Sequence, residues 1–395
     1  MSTSLTCPNR LLREIQLQNL LSFGPETPPL ALENLNVLIG PNGSGKSNLI
    51  EALGVLRSTP GELRAAIRQG GGVSEWIWKG NPQGTAIINV VMGQALDNQS
   101  VRHCLIFRAE NQAFRLDGEV IEYEDPREGK PDALFFYRAE RETTTIRVFD
   151  KEFTLKPGTL DPGLSILAQR KGAEAYPALS YLSGAYERIR IFREWTFGRN
   201  AVFRQPQAAD ARNDRLEEDF SNLGLFLNRL RRMPKAKNAL LSALKDLYEG
   251  ISDFDVSVQG GTVQVFFTEG DYIIPAPRLS DGTLRYLCLA AILCDPEPPP
   301  LVCIEEPELG LHPDILPKVA DLLVAASERT QLIVTTHSDI LVDAMTERPE
   351  AVIVCEKHNH QTTMKRLQKA ELKDWLERYR LGELWTRGEL GGNRW

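Results

Sequence analysis

Residues 40–47 form a glycine-rich segment whose spacing could bind phosphate. It matches the pattern G-x-x-x-x-G-K-[ST] in full and reads Gly40-Pro41-Asn42-Gly43-Ser44-Gly45-Lys46-Ser47. Glycine permits positive φ and places no side chain against a ligand, so successive N–H groups can point at one anion. Lys46 would reach the outer phosphates of a nucleoside triphosphate, and the Ser47 hydroxyl would bind Mg²⁺.

The flanks of this segment support the phosphate-binding interpretation. An apolar run, Leu35–Ile39, precedes it, and apolar residues at helical spacing follow it. A strand, a glycine loop and a helix in this order place the loop at a helix N-terminus, which favours anions. The alternative is an ordinary glycine-rich turn. We predict that the following residues bind the cofactor ATP: Asn42, Gly43, Ser44, Gly45, Lys46, Ser47 and Asn48.

An acidic pair ends a second apolar run. Leu301–Ile304 reads as a buried strand, and Glu305 and Glu306 follow it. Such carboxylates lie at the carboxyl edge of a sheet, where open α/β sheets bind ligands. We predict that Glu305 contributes to a Mg²⁺ site and that Glu306 orients or deprotonates the attacking water. The alternative is a strand that simply ends in surface charge.

Two further segments have polar residues beside apolar elements. Ser280 and Gly282 stand at the start of a helix that is apolar nearly all round, where they could form an anion site or a plain N-cap. His337 follows the apolar strand Leu332–Thr335 and could hydrogen-bond a γ-phosphate. Either segment alone would favour the structural alternative, an N-cap or a surface histidine.

The order of these four motifs resembles the ABC-class ATPases, particularly their RecF-like and SMC-like branch. The segment Glu305–Pro313 looks like the predicted stand-alone AAA-type ATPases related to the OLD family, without a Toprim domain. The resemblance covers residues 11–56 and 278–355. It departs from the usual pattern at Glu305, where Asp is usual, and at Thr283, where transporter ATPases often carry Gln.

The resemblance implies a mechanism. Heads of this class dimerise head-to-tail around two ATP molecules, and Ser280 and Gly282 of one subunit would cap the γ-phosphate bound by the other. Hydrolysis would need Glu306 and His337 as catalytic residues. The segment Glu308–His312 would lie along the dimer seam. The glutamine loop of the class could be at Gln205 or Gln207.

These observations predict an α/β fold: a P-loop NTPase head of ABC type with an inserted antiparallel β subdomain and a helical lobe. We expect four segments: an ATPase lobe with the phosphate loop and β subdomain (1–200), a helical lobe with a hairpin (201–277), a second ATPase lobe that completes the parallel sheet (278–358), and a helical tail (359–395). Six short β-rich runs between residues 85 and 160 predict an antiparallel meander. Residues 205–250 read as helical, and Gly260-Gly261 predicts a hairpin turn.

Composition limits the classes of partner. The 395 residues are 42% hydrophobic with a net charge of −7, so nucleic-acid binding would need a local patch. A basic cluster within residues 229–237 could be that patch or a solvated helix end. No apolar run is long enough to cross a membrane, the first ten residues lack a leader pattern, and the six cysteines show no paired spacing. We predict a cytoplasmic protein without a membrane partner.

Two functions remain open. The first is a nucleotide-gated switch that dimerises on ATP and holds or releases a protein effector encoded nearby, as in defence against phage. The second is a DNA-acting ATPase in repair or recombination. The acidic net charge and the absence of a nuclease segment or coiled coil favour the first. An importer subunit is disfavoured by the long insertion after the phosphate loop.

Overall fold

The chain divides into two compact units, each discontinuous in sequence. A computed structural model describes residues 10–96, 98–126, 132–140, 143–149, 151–195, 198 and 200–392. Unit 1 comprises Met1–Ile189, Ile353–Leu367 and Gly391–Trp395, and unit 2 comprises Arg190–Val352 and Gln368–Leu390. The four-segment organisation stays a prediction.

The described residues form strands and helices in a mixed order. The strands are β1 (Leu12–Gln18), β2 (Leu30–Ala31), β3 (Leu35–Ile39), β4 (Ala86–Leu96), β5 (Gln99–Glu110), β6 (Ala113–Tyr123), β7 (Phe135–Glu140), β8 (Thr143–Val148), β9 (Lys151–Thr154), β10 (Arg190–Phe192), β11 (Gln207–Ala208), β12 (Ile251–Gln259), β13 (Thr262–Glu269), β14 (Tyr272–Pro275), β15 (Leu301–Glu305), β16 (Gln331–Thr335), β17 (Val352–His358) and β18 (Gln361–Arg366). The helices are α1 (Lys46–Ser58), α2 (Leu63–Gln69), α3 (Val73–Trp76), α4 (Ile166–Gln169), α5 (Pro177–Glu187), α6 (Leu223–Arg231), α7 (Pro234–Leu247), α8 (Asp281–Leu293), α9 (Leu316–Ser327), α10 (Asp339–Asp343), α11 (Lys369–Leu376) and α12 (Leu381–Thr386).

The larger sheet of unit 1 is antiparallel throughout. Its order is β2-β1-β4-β5-β6-β7-β8-β9, and the last six of these strands are the predicted meander. Along β5, alternate residues from Val101 to Phe107 are buried, the period-2 pattern of a strand with one covered face.

A buried polar network fixes this sheet to the helices of unit 1. His103 on β5 lies 3.0 Å from the Glu119 carboxylate on β6 and 3.0 Å from the Tyr186 hydroxyl on α5. Ser165 and the Ile166 amide also donate to Glu119, at 2.5 and 2.8 Å. Because buried polar groups are costly without partners, this complete network specifies how the sheet packs on α4 and α5.

The phosphate loop lies between β3 and α1 in unit 1, as predicted. All five residues of β3 are buried, which is typical of a strand covered on both faces. In the same unit β3 lies beside β17, and β17 pairs with β18 in antiparallel register. Residues 359–395, predicted as a helical tail, therefore begin with a strand. The turn before it uses Asn359 and His360 at φ 49° and 63°, a two-residue hairpin.

Unit 2 contains a three-stranded parallel ladder. Its order is β10-β15-β16, with Ile191 beside Cys303 and Cys303 beside Ile333. Parallel strands end at the same edge, and the register places Glu305 opposite Thr335 there. Helix α8 is buried along most of its length, as its apolar sequence predicts.

The second sheet of unit 2 is small. It has the order β11-β13-β12, with β14 also paired to β13. The turn residues Gly260 and Gly261 have φ of 58° and 77°, which confirms the predicted hairpin. Residues 205–222, predicted as helical, contain β11 and turns instead, and the helices start at Leu223. Within the described residues, no helix is both long and apolar enough to cross a membrane.

Candidate functional site: a phosphate loop and an acidic strand end

The phosphate loop needs its glycines for close backbone approach. Gly40, Gly43 and Gly45 have φ of 144°, 78° and 100°. A Cβ at Gly40 would lie 2.1 Å from the Cys355 carbonyl oxygen, and one at Gly45 would lie 2.2 Å from Thr362 Oγ1. Only glycine combines these angles with this space, so the motif folds as a tight loop against β17 and β18.

The inner face of the loop fits an anion. The Ser44 hydroxyl oxygen is buried and has no hydrogen-bond partner among the described residues. A Cβ at Gly43 would meet no atom within 4 Å, so the loop is open on that side. Helix α1 begins immediately at Lys46, which directs its N-terminal dipole at the loop. An unpartnered hydroxyl at an open helix N-terminus is the arrangement expected for phosphate binding.

Lys46 lies across the loop. Its Nζ donates to the carbonyl oxygens of Gly40 and Pro41 at 2.7 and 3.1 Å, and only 6% of the residue is exposed. Ser47 and Asn42 are exposed. The side-chain amide of Asn48 donates to Ser22 Oγ at 2.7 Å, and this contact supports the loop. Its predicted role in cofactor binding stays a prediction.

Thr362 on β18 supports the phosphate loop through a contact that no pattern in the sequence predicts. Its hydroxyl donates to the Ser44 carbonyl oxygen at 2.9 Å and lies 2.6 Å from Ser22 Oγ. The residue is 2% exposed. Thr362 therefore fixes the peptide group between Ser44 and Gly45. The backbone N–H groups of this loop are the ones that would face the phosphates.

We expect Thr362→Val to weaken ATP binding without unfolding the protein. Valine fills a similar volume but leaves the Ser44 carbonyl without its donor, a loss of about 0.5–1.5 kcal/mol, so the Kd for ATP should rise about threefold to tenfold. Isothermal titration of both proteins measures this. Thr363→Val, at an exposed position of the same strand, is the control. Equal affinities for wild type and Thr362→Val would show that the contact does not shape the loop.

The acidic pair ends β15 in unit 2 and its two members have different surroundings. The Glu305 carboxylate lies 3.0 Å from Arg193 Nη2, and its carbonyl oxygen accepts from Trp195 Nε1 at 2.8 Å. Glu306 has a left-handed backbone, with φ of 47°. Its N–H donates to the Thr335 carbonyl oxygen at 3.0 Å. A non-glycine residue in this region is strained, and such strain is concentrated at functional sites.

His337 lies close to Glu306. The distance from His337 Nε2 to Glu306 Oε1 is 3.7 Å, and both side chains are about one-third exposed. Glu308 organises this segment, because its carboxylate accepts from the His337 backbone N–H at 2.7 Å. Burial raises the pKa of the Glu308 carboxyl. The ends of β15 and β16 thus bring together the two predicted catalytic side chains.

Ser280 caps helix α8. Its hydroxyl oxygen accepts from the Thr283 N–H at 3.1 Å, so the N-cap, the structural alternative for this segment, is present. Asp281 binds Arg204 at 2.5 Å, and this hydrogen bond holds the pKa of the Asp281 carboxyl below its usual value. A Cβ at Gly282 would lie 3.1 Å from the Gly310 carbonyl oxygen. The Gly282 backbone therefore approaches the segment after the acidic pair closely.

Few side chains among the described residues are placed to bind a metal ion. The described residues contain no group of three or more His, Cys, Asp and Glu side chains that could hold an ion. The Ser47 hydroxyl in unit 1 and the Glu305 carboxylate in unit 2 are each hard oxygen ligands of the kind that Mg²⁺ prefers, and their part in one magnesium site stays a prediction. Glu305 is paired with Arg193, so this pair would have to rearrange if Glu305 takes part.

Three further residues at these sites were not recognised in the sequence. Arg193 pairs with Glu305, Arg285 binds the Glu306 carbonyl oxygen, and Glu308 binds the His337 backbone. Gln207 is one of two residues predicted for the glutamine loop, but its side-chain amide donates to the Phe220 carbonyl oxygen and accepts from the Gly224 N–H within unit 2. This side chain has a structural role.

Comparisons with known proteins identify chains of similar fold. The chain is similar to the SMC head bound to the C-terminal winged-helix domain of ScpA, at 15% identity over 91% of this chain and 99% of the other, with a TM-score of 0.55. An SMC head with an extended coiled coil, bound to the C-terminal domain of ScpA from Pyrococcus furiosus, matches at 14% identity over 93% and 98%, with a TM-score of 0.54. An SMC head from Pyrococcus yayanosii matches at 12% identity over 93% and 99%, with a TM-score of 0.52. No curated protein matches.

At these identities the structural likeness establishes the fold, a P-loop NTPase fold of ABC type. The predicted fold class and the resemblance to the SMC-like branch are therefore confirmed. A family described as "AAA domain, putative AbiEii toxin, Type IV TA system" matches residues 35–343, more than three quarters of the sequence. The chain belongs to this family of AAA-type ATPase domains.

Proposed function

We propose that this protein binds Mg-ATP through residues 42–48, hydrolyses it with Glu306 and His337, and uses the ATP cycle to gate a partner protein. In this proposal Glu306 orients or deprotonates the attacking water, and His337 hydrogen-bonds the γ-phosphate. The observation that carries it is the approach of the Glu306 carboxylate to the His337 ring, 3.7 Å apart at the ends of two parallel strands. Membership of an ATPase family supports it.

Ser47 and Glu305 would hold the magnesium ion. When bound, the ion would neutralise charge that develops on the phosphates. The protein's own contribution is to fix these oxygen atoms. Trp195 holds the Glu305 backbone through its indole N–H, and Lys46 supplies a second positive charge beside the phosphates.

We further propose that ATP closes a homodimer. Ser280 and Gly282 stand at the N-terminus of α8, where backbone N–H groups and the helix dipole favour an anion. In a head-to-tail dimer they would contact the γ-phosphate held by the second copy. Since ATP would add affinity only to the closed form, its hydrolysis would shift the population towards open subunits.

The partner in this proposal is a protein effector encoded nearby, for which phage defence is one setting. The family description names a toxin–antitoxin system, and two of the similar SMC heads are bound to ScpA. A DNA-acting ATPase is the second candidate because of the basic cluster within residues 229–237. Several of these cations are already paired: Arg229 with Asp295 and Glu297, Arg231 with Asp255, and Lys237 with Asp253. Such pairing disfavours phosphate binding by the cluster.

The test is ATP turnover by the purified chain. We expect phosphate release that stops when EDTA removes Mg²⁺, and a dimer by light scattering with ATP but not with ADP. A chain that binds no ATP, or that releases no phosphate with Mg²⁺ present, would contradict the proposal. Stimulation by DNA that falls steeply with salt would favour the second candidate, and co-purification with a neighbour-encoded protein would favour the first.

A further inference from the structure

The left-handed backbone of Glu306 requires support from its surroundings. An L-residue other than glycine rarely adopts a φ of 47°, and it persists only where neighbouring groups determine it. On one side, the Glu306 N–H donates to the Thr335 carbonyl oxygen. On the other side, the Glu306 carbonyl oxygen accepts a hydrogen bond from Arg285 Nη2 at 3.0 Å. The peptides on both sides of this carboxylate are therefore fixed.

Arg285 is an unusual residue for this position. It lies on the buried part of α8, Leu284–Leu293, where it is the single charged residue, and it is only 2% exposed. Arginine is almost never fully buried unless it is paired. The Trp195 ring covers its guanidinium, with Cζ 4.5 Å from the ring centroid, and Trp195 in turn donates to the Glu305 carbonyl oxygen. Burial lowers the pKa of Arg285 to about 10, so the guanidinium stays protonated at neutral pH.

We propose that Arg285 is a positioning residue for hydrolysis: it holds the Glu306 peptide in its left-handed conformation and so directs the Glu306 carboxylate towards the water and His337. The proposal rests on the proposed function, because Glu306 matters only if the chain hydrolyses ATP. A guanidinium suits this task, since its donors are held in a rigid plane and stack on an aromatic face. Arg285 itself touches no reacting atom in this proposal.

The experiment compares kcat and KM for ATP in three variants. Arg285→Met removes the donor and keeps most of the apolar stem. Arg285→Lys keeps one donor and the charge but loses the planar fork. Leu289→Ala is the matched control, because Leu289 is also buried on α8 and its loss creates a cavity. Thermal unfolding of each variant records how much stability was lost.

We expect kcat to fall at least about tenfold in Arg285→Met, by a smaller factor in Arg285→Lys, and little in Leu289→Ala. The KM for ATP should stay within about twofold in all three, since the change affects the water-orienting step rather than the phosphate loop. If Arg285→Met does not fold, Arg285→Lys decides: a lowered kcat with unchanged KM supports the proposal, and a wild-type kcat overturns it.

Other outcomes are also decisive. A folded Arg285→Met with wild-type kcat overturns the positioning role and leaves the proposed ATPase intact. A kcat that falls in Arg285→Met and Leu289→Ala in proportion to their lost stability shows a structural role only. Wild-type protein that hydrolyses no ATP overturns the proposed function and this inference together.

Discussion

Replacing Glu306 by Gln should lower ATP turnover by about 10²–10⁴-fold, the usual contribution of a positioned general base. Glutamine has nearly the same shape, so the backbone contacts of residue 306 with Thr335 and Arg285 should survive. The phosphate loop is unchanged, so ATP should still bind. With binding intact and hydrolysis blocked, an ATP-bound dimer should accumulate. Single-turnover phosphate release and light scattering with ATP measure the two effects.

Asp314→Asn is the matched control for this change. Asp314 also lies after β15, but its side chain is 91% exposed and interacts with His312 rather than with the catalytic pair. The control removes one negative charge from the same region and should leave ATP turnover as in wild type. If Glu306→Gln hydrolyses ATP at the wild-type rate, the catalytic assignment of Glu306 is wrong. If turnover stops and no dimer forms with ATP, the proposed gating is wrong although the catalytic assignment holds.

The parts of the fold that could be predicted are those encoded by local patterns. The phosphate loop follows from eight consecutive residues and their apolar flanks, and the meander follows from short β-rich runs separated by turn residues. Strands β15 and β16 each follow from an apolar run that ends in polar residues. In each case the nearest neighbours in sequence determine the structure.

The parts that could not be predicted depend on contacts between distant residues. Nothing near Thr362 indicates that its hydroxyl supports Ser44. Arg285 interrupts an apolar helix and would ordinarily be placed in solvent, but Trp195 and the Glu306 carbonyl oxygen make a buried position favourable. The same limit explains residues 205–222, which are predicted as helical from the sequence but which contain turns and β11, a strand paired with the distant β13.

The turn at Asn359 and His360 is missing from the sequence-based prediction for a different reason. Its signal is local, because two consecutive residues with left-handed backbone between two strands form a hairpin turn. Asn favours that conformation and His tolerates it, but the pair is less recognisable than Asn-Gly. The consequence is functional, because β18 carries Thr362 to the phosphate loop. Because this turn is not recognised in the sequence, the contact between Thr362 and the phosphate loop is not predicted either.

Lys46→Ala should abolish measurable ATP binding. In wild type the ammonium would make charge-assisted hydrogen bonds to the phosphates, each contributing about 1.5–3 kcal/mol, so the loss of two raises the Kd at least about 100-fold. Thermal unfolding with and without ATP measures this binding as a gain in stability of the native state. ATP at 100 times its Kd stabilises the native state by about 2.7 kcal/mol, and the variant should show almost none of this stabilisation at the same concentration.

Arg57→Ala separates this effect from a general loss of positive charge. Arg57 is in the last turn of the same helix, α1, and should keep the ATP-induced stabilisation. The Lys46 ammonium also binds the carbonyl oxygens of Gly40 and Pro41, so unfolding without nucleotide must be measured for both variants. If Lys46→Ala retains the wild-type shift with ATP, the glycine loop does not bind the triphosphate, and the proposed chemistry of Glu306 loses its substrate. If both variants lose it equally, the shift reports overall charge and not a specific site.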